Sequence, residues 1–389
     1  MGKYAKLPAS PIALGDLVRE VQEREGIEVI RFDVAEPQFP PPEVALEGTI
    51  EAIKSGLTRY TPPRGLPELV SRVCQYLKVT RSLNYSEEEV IITPGAKFAV
   101  YSALKTILDP GDEVILISPY WVSFKSIPLM LSARVVEVRM KKPYGLHEEF
   151  LKGAINSRTK AIVINTPHNP TGWIFTKEEL KVIRDLAIDH DLFVISDEVD
   201  WAYIYEGEHV SPASMPGMHE KVVVIDSFSK VYSMTGWRVG FAAGPKEVIN
   251  DMLAIQQHTV SAPATFAQWG CLKVLEHVLN DRTYIDSLIK LCRFNRDYVV
   301  KELNSINGIE CPKPPGAFYL FPSIEALGIH SDVLVRDLLS YGVAVAPGYL
   351  FGSEFKYYFR ICYALPKEMV ISGIERMKKY FSMRTYSKN

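Results

Sequence analysis

The chain has 389 residues, 47% of them hydrophobic, with 44 Lys and Arg against 46 Asp and Glu for a formal net charge of -2. That balance gives no electrostatic drive toward nucleic acid or an anionic membrane surface, and no apolar run reaches the roughly 18 residues of a membrane span. The length is more than one hydrophobic core serves well, so two domains are expected.

Met1–Ser10 holds no apolar core of signal-peptide length. The five cysteines, Cys74, Cys271, Cys292, Cys311 and Cys362, are odd in number, scattered and never in a Cys-x-x-Cys pair, which argues against a disulfide framework and a zinc site. The eight histidines form no metal-ligand spacing. A soluble protein of the reducing cytoplasm, without a metal, is expected.

From about residue 90, short β-branched apolar runs alternate with longer stretches of helical period: Val90–Thr93, Glu113–Ser118, Ala161–Ile164, Leu192–Ile195 and Val222–Ile225. The pattern predicts an α/β domain, a mostly parallel central sheet with helices on both faces, whose ligands gather at the carboxyl ends of the strands. Lys97–Leu108 and Thr176–His190 read as amphipathic helices, the second opened by a capping box of Thr176 and Glu179. Past residue 283 come a long charged helix, Tyr284–Leu303, a break at Pro312–Gly316, a helix near Ser331–Tyr341 and another after Pro366. These predict a smaller α+β domain. The expected division is 46–282 for the large domain, with 1–45 and 283–389 forming the small one.

Several segments carry chemistry. Pro94-Gly95-Ala96-Lys97 joins a strand to a helix, whose N-terminus offers free N–H groups and the positive end of a dipole to an anion. Asn169 lies in Asn-Thr-Pro-His-Asn-Pro-Thr-Gly, by itself a turn, and Asp197 emerges from the buried run Leu-Phe-Val-Ile-Ser. Ser227 to Gly240 reads Ser-Phe-Ser-Lys-Val-Tyr-Ser-Met-Thr-Gly-Trp-Arg-Val-Gly. Lys230 there can form a Schiff base with a carbonyl, while Ser227, Ser229 and Arg238 suit phosphate oxygens. Pyridoxal 5′-phosphate has both groups.

The Lys230 segment resembles the lysine signature of the class I/II pyridoxal-phosphate-dependent aminotransferases, which are of fold type I. The likeness runs from about Ala35 to Ala364. It implies that the backbone of Gly95, Ala96 and Lys97 cradles the cofactor phosphate together with Ser227, Ser229 and Arg238. Trp121 stacks on the ring, Asn169 bonds its phenolic oxygen and the substrate, and Asp197 keeps the pyridine nitrogen protonated. Arg360 anchors the substrate's α-carboxylate, Ala35 borders the substrate, and Tyr60 reaches the partner's phosphate across a homodimer interface. Lys230, once displaced, shuttles a proton.

Two positions depart from the family pattern. Relatives carry Asp-Glu-x-Tyr, whose tyrosine donates to the phenolic oxygen, where this chain has Asp197-Glu198-Val199-Asp200. Asp200 is then protonated, points elsewhere, or alters the catalysis. Ala35 stands where relatives have glycine. The implied reaction moves the amino group of an L-amino acid, aspartate ranked first and aromatic donors second, to a 2-oxo acid such as 2-oxoglutarate. Lys105 and Arg64 are candidates for a second substrate carboxylate, and Phe39 and Trp121 for an aromatic side chain. A β-lyase or decarboxylase on the same fold is the alternative reaction, and a non-catalytic regulatory protein the alternative of another class.

Overall fold

The apolar runs become seven strands of one sheet in the computed structural model, which describes residues 7, 8 and 14–386. They are β1 (Val90–Thr93), β2 (Glu113–Ser118), β3 (Arg134–Arg139), β4 (Thr159–Asn165), β5 (Phe193–Asp197), β6 (Val222–Ser227) and β7 (Gly240–Ala243), in the order β1-β7-β6-β5-β4-β2-β3. Neighbours pair in parallel except around β7, which is antiparallel to both β1 and β6. Two strands are additions to the sequence reading. β3 is an edge strand whose charged residues face solvent, so it never forms a continuous apolar run. β7 is a short run of Gly, Phe and two Ala.

Successive strand residues point to opposite faces, and both faces are buried. Ile91, Leu116, Val163, Ile195 and Ile225 pack under helices Ala96–Ile107 and Lys246–Gln257. Ile92, Ile117, Ile164, Val194 and Val224 pack under helices Pro67–Arg81, Lys177–Asp189 and Thr265–Val278. The capping box forms as expected: Glu179 N–H donates to the Thr176 hydroxyl at 3.2 Å, and Thr176 N–H to the Glu179 carboxylate at 2.8 Å.

A separate core gathers Val18, Ile30 and Phe32 with residues of the last hundred positions, among them Phe318, Leu334, Ile361 and Ile374. Its strand Phe359–Cys362 lies between Tyr319–Leu320 and Ala346–Pro347, antiparallel to both. Ile30–Arg31 pairs in parallel with Val343–Ala344, so the N-terminal segment belongs to this region. Helix Thr283–Asn304 starts against the first core through Ile285 and continues along the second through Cys292, Val299 and Leu303. Residues 1–6, 9–13 and 387–389, and with them most of the Met1–Ser10 segment read for a signal peptide, lie outside the described residues.

Candidate active site

A cavity of about 620 Å³ opens at the carboxyl ends of β1, β2, β4, β5 and β6, where the second region covers the sheet. Its size suits a cofactor and a small substrate. Ala35, Ala96, Lys97, Trp121, Asn169, Asp197, Ser227, Ser229, Lys230, Arg238 and Arg360 all line it, drawn from both ends of the chain.

The wall on the sheet side is cationic at one end. Gly95, with φ +80°, turns β1 into helix Ala96–Ile107. A Cβ at Gly95 would lie 2.7 Å from Nη2 of Arg238, so only glycine lets the guanidinium approach this helix start. Gly240 serves the same junction, because a Cβ there would meet Ala96 N at 2.7 Å. The ammonium of Lys97 sits 5.1 Å from the Trp121 ring centre. Burial lowers the Lys97 pKa, and the nearby Arg238 and Lys230 lower it further. Arg238 and Lys97 beside a helix N-terminus suit an anion.

Lys230 follows β6 on a short helical turn, Phe228–Val231, capped by Ser227, whose hydroxyl accepts from Ser229 N–H at 3.3 Å. The Lys230 amine donates to the carbonyl of Ala35. Burial lowers its pKa against the opposing pull of Asp200, which favours the neutral amine a nucleophile needs. Asp197 ends β5, and its carboxylate accepts Val199 N–H at 3.2 Å. A turn, not a helix, follows it. Burial raises Asp197 to about 8, so a cationic N–H placed against it would supply the charge it lacks.

Behind Asp197 lies a buried charge network. Arg81 donates to Glu198 at 3.3 Å and also to Asp226, with its guanidinium 4.8 Å from the Trp201 ring centre. Glu198 further accepts Ser196 at 2.9 Å and Ser211 at 2.6 Å, and pairs with His209 at 3.1 Å. Asp226 accepts Ser227 N–H at 2.6 Å, which ties the network to the Lys230 turn.

On the opposite wall, Arg360 is 1% exposed and central in its sheet rather than on an edge. It donates to Asn169 Oδ1 at 3.1 Å and to the Asp33 carbonyl at 2.6 Å, leaving Nε without a partner. Asn169 is held in turn by Asn165, whose Oδ1 accepts Asn169 N–H at 2.6 Å and whose amide donates to Asp197 O at 2.9 Å. A planar guanidinium so fixed is suited to a carboxylate.

Other predicted positions lie elsewhere. Tyr60 is 92% exposed and outside the cavity of this single chain. Lys105 is exposed on its helix, and Arg64 is engaged by Glu88 O, Val90 O and Asn250, so neither faces the cavity as a second-carboxylate candidate would. His168 is buried, paired with the Thr171 hydroxyl at 2.8 Å. The sequence reading missed Arg31, Asp33, Glu36, Thr235 and Tyr319, all of which line the cavity. Arg31 is clasped by Asp33 at 2.7 and 2.8 Å, and Glu36 accepts Thr235 at 3.0 Å. Only the Arg-Phe-Asp spacing, which puts Arg31 and Asp33 on one face of an extended segment, signalled any of them.

Among the described residues one group with metal-ligand geometry, Glu89, His219 and Glu220, lies outside the cavity. Glu89 is occupied in a capping box, and His219 stacks on Tyr85.

The model of the aminotransferase class I and II family matches residues 27–377. An aspartate/prephenate aminotransferase of Thermus thermophilus is 34% identical over 377 residues, 96% of each chain. A solved aspartate aminotransferase from Thermus thermophilus with maleate superposes with a TM-score of 0.91 at 34% identity, covering 96% of this chain and 97% of that one. An aromatic aminotransferase from Pyrococcus horikoshii gives 0.87 at 34% identity, covering 95% and 99%.

Proposed function

We propose residue roles and a substrate for this chain, which belongs to the class I and II aminotransferase family and is a pyridoxal 5′-phosphate-dependent aminotransferase. The observation that carries the roles is the meeting of Lys230, Asp197 and Arg360 in one cavity. The residues present fit the cofactor: Gly95 leaves room only for Arg238, Arg238 and Lys97 flank a helix N-terminus, and Asp197 is a buried acid. When bound, the cofactor supplies an electron-withdrawing ring conjugated to a carbonyl. Gly95, Ala96 and Lys97 would hold its phosphate with Ser227, Ser229 and Arg238. Trp121 would cover the ring, Asn169 would bond its oxygen, and Asp197 would pair with its nitrogen.

Lys230 would hold the cofactor's carbonyl, and its amine, when free beside the substrate, would take up the proton from Cα. Arg360 and Asn169 hold the α-carboxylate, and Ala35 borders the substrate. Aspartate is the first-ranked donor and aromatic amino acids the second, with 2-oxoglutarate as acceptor. The relatives' names support that order. So does the guanidinium of Arg31, a further cation lining the cavity. The acting unit is a homodimer in which Tyr60 reaches the partner's site. The exposed apolar stripe Leu46, Ile50, Ile53 and Leu57 beside Tyr60 supports it. The separate cores support a division into 46–282 and 1–45 with 283–389. Free cysteines throughout, and no described helix long and apolar enough to cross a membrane, support a cytoplasmic setting.

The test is the absorption spectrum of the cofactor-loaded protein, challenged with L-aspartate, then aromatic amino acids, then 2-oxoglutarate. Loss of the bound-cofactor band with aspartate and its return with the oxo acid is expected. An unchanged band while ammonia or carbon dioxide accumulates would assign a lyase or decarboxylase instead, and absence of any band would refute the cofactor roles.

A further inference from the structure

The turn after β5 brings two acids to one cavity wall, Asp197 and Asp200. Asp197 accepts a backbone amide; Asp200, 1% exposed, has neither oxygen hydrogen-bonded. Facing Asp200 are the Lys230 amine, the Arg360 guanidinium and the Tyr319 hydroxyl, with the carboxylates of Asp226 and Asp197 nearby. The Tyr319 hydroxyl is also buried, lines the cavity and lacks a partner of full hydrogen-bond geometry, while its ring lies 5.3 Å from the Arg360 guanidinium. Two buried, unsatisfied polar groups side by side are costly unless a third group completes them. An ionised carboxylate accepts only, whereas a protonated one donates through one oxygen and accepts through the other.

We propose that Asp200 carries a proton in the loaded site and donates it in a hydrogen bond to the oxygen on the cofactor ring, while the Tyr319 hydroxyl donates to the other Asp200 oxygen. The proposal rests on the cofactor reading above. It gives Asp200 the donor role that a tyrosine holds in the resembled family, with Tyr319 as a positioning residue. Burial raises Asp200 to about 7, ahead of the opposing pull of Lys230 and then Tyr319. An anionic ring oxygen brought beside Asp200 adds a repulsion that the proton relieves.

The experiment is a pH titration of the bound-cofactor absorption band, with infrared detection of a protonated carboxyl. A donor to the ring oxygen stabilises its anion and lowers the midpoint; a neighbouring negative charge raises it. Asp200→Ala is therefore expected to raise the midpoint by about one unit, and Asp200→Asn, still a donor, to leave it within about half a unit. Tyr319→Phe should raise it by less than Asp200→Ala. The loaded protein should show a protonated-carboxyl stretch that Asp200→Asn removes. A midpoint that falls in Asp200→Ala and Asp200→Asn would mean that a negative charge had been removed, and would overturn the proposal; no movement in Tyr319→Phe would overturn the part given to Tyr319. If the unsubstituted protein forms no band at all, the cofactor reading fails instead.

Discussion

The two walls of the cavity are made differently. Gly95, Trp121, Asn169, Asp197 and Lys230 each stand within a few residues of a strand end, so the sheet alone sets their places. The facing wall joins residues 31–36 to Tyr319 and Arg360, about three hundred positions apart. They meet because Ile30–Arg31 pairs with Val343–Ala344, Cys362 N–H donates to Phe32 O at 2.8 Å and Gln38 N–H to Ala364 O at 2.8 Å. The sheet wall is braced from behind by charge, and the facing wall by backbone hydrogen bonds. Damage to the first should therefore appear in cofactor binding and chemistry, and damage to the second in substrate affinity.

The largest separation is expected from Lys230→Ala, which removes the amine proposed to move the Cα proton. Turnover should fall by at least about 10⁴-fold in single-turnover assays, whereas unfolding in urea stays near that of the unsubstituted protein. Arg81→Met tests the bracing. Burial works against the charge of Arg81, and Asp226 and Glu198 outweigh it; without the guanidinium Glu198 keeps only His209 as a charge partner and Asp226 is left buried with none of its own. The cost should be about 3–5 kcal/mol in urea unfolding of the cofactor-free protein. If Arg81→Met unfolds like the parent, the sheet wall is not held by this network.

The same contrast explains what could be read from the sequence. Ser227–Gly240 places an amine, two hydroxyls and a guanidinium within fourteen residues, and strands buried on both faces announce themselves as apolar runs. β3 escaped because an edge strand keeps its charges. Tyr319 escaped because nothing local marks a residue whose role depends on a pairing made three hundred positions away. Lys105 suggested itself by helical spacing from Lys97, but its turn of the helix faces solvent, while Arg31, on a two-residue strand, faces the cavity.

Arg360→Lys probes the facing wall. Lysine keeps the charge but loses the fork that binds Asn169 and Asp33 O and is proposed to take a carboxylate as well. The KM for the amino acid should rise about 30-fold, or about 2 kcal/mol, with cofactor affinity nearly constant. A matching loss of cofactor affinity would mean that the two walls are not separable.

Gly95→Ala should give the smallest effect, confined to the sheet wall. Gly95 holds φ +80° and ψ 165°, a backbone that is nearly glycine-only and costs an alanine about 1–3 kcal/mol. The added methyl also displaces the Arg238 guanidinium, whose Nη2 would be 2.7 Å away. That guanidinium is the flexible end of an exposed side chain, so it can swing aside, and the fold should survive. What is lost is its place beside the helix start. Cofactor affinity should fall about tenfold in equilibrium dialysis, while KM for the amino acid at saturating cofactor remains unchanged. Should KM rise instead, the helix start would be serving a substrate carboxylate rather than the phosphate, and the assignment of Lys97 and Arg238 to the phosphate would fall.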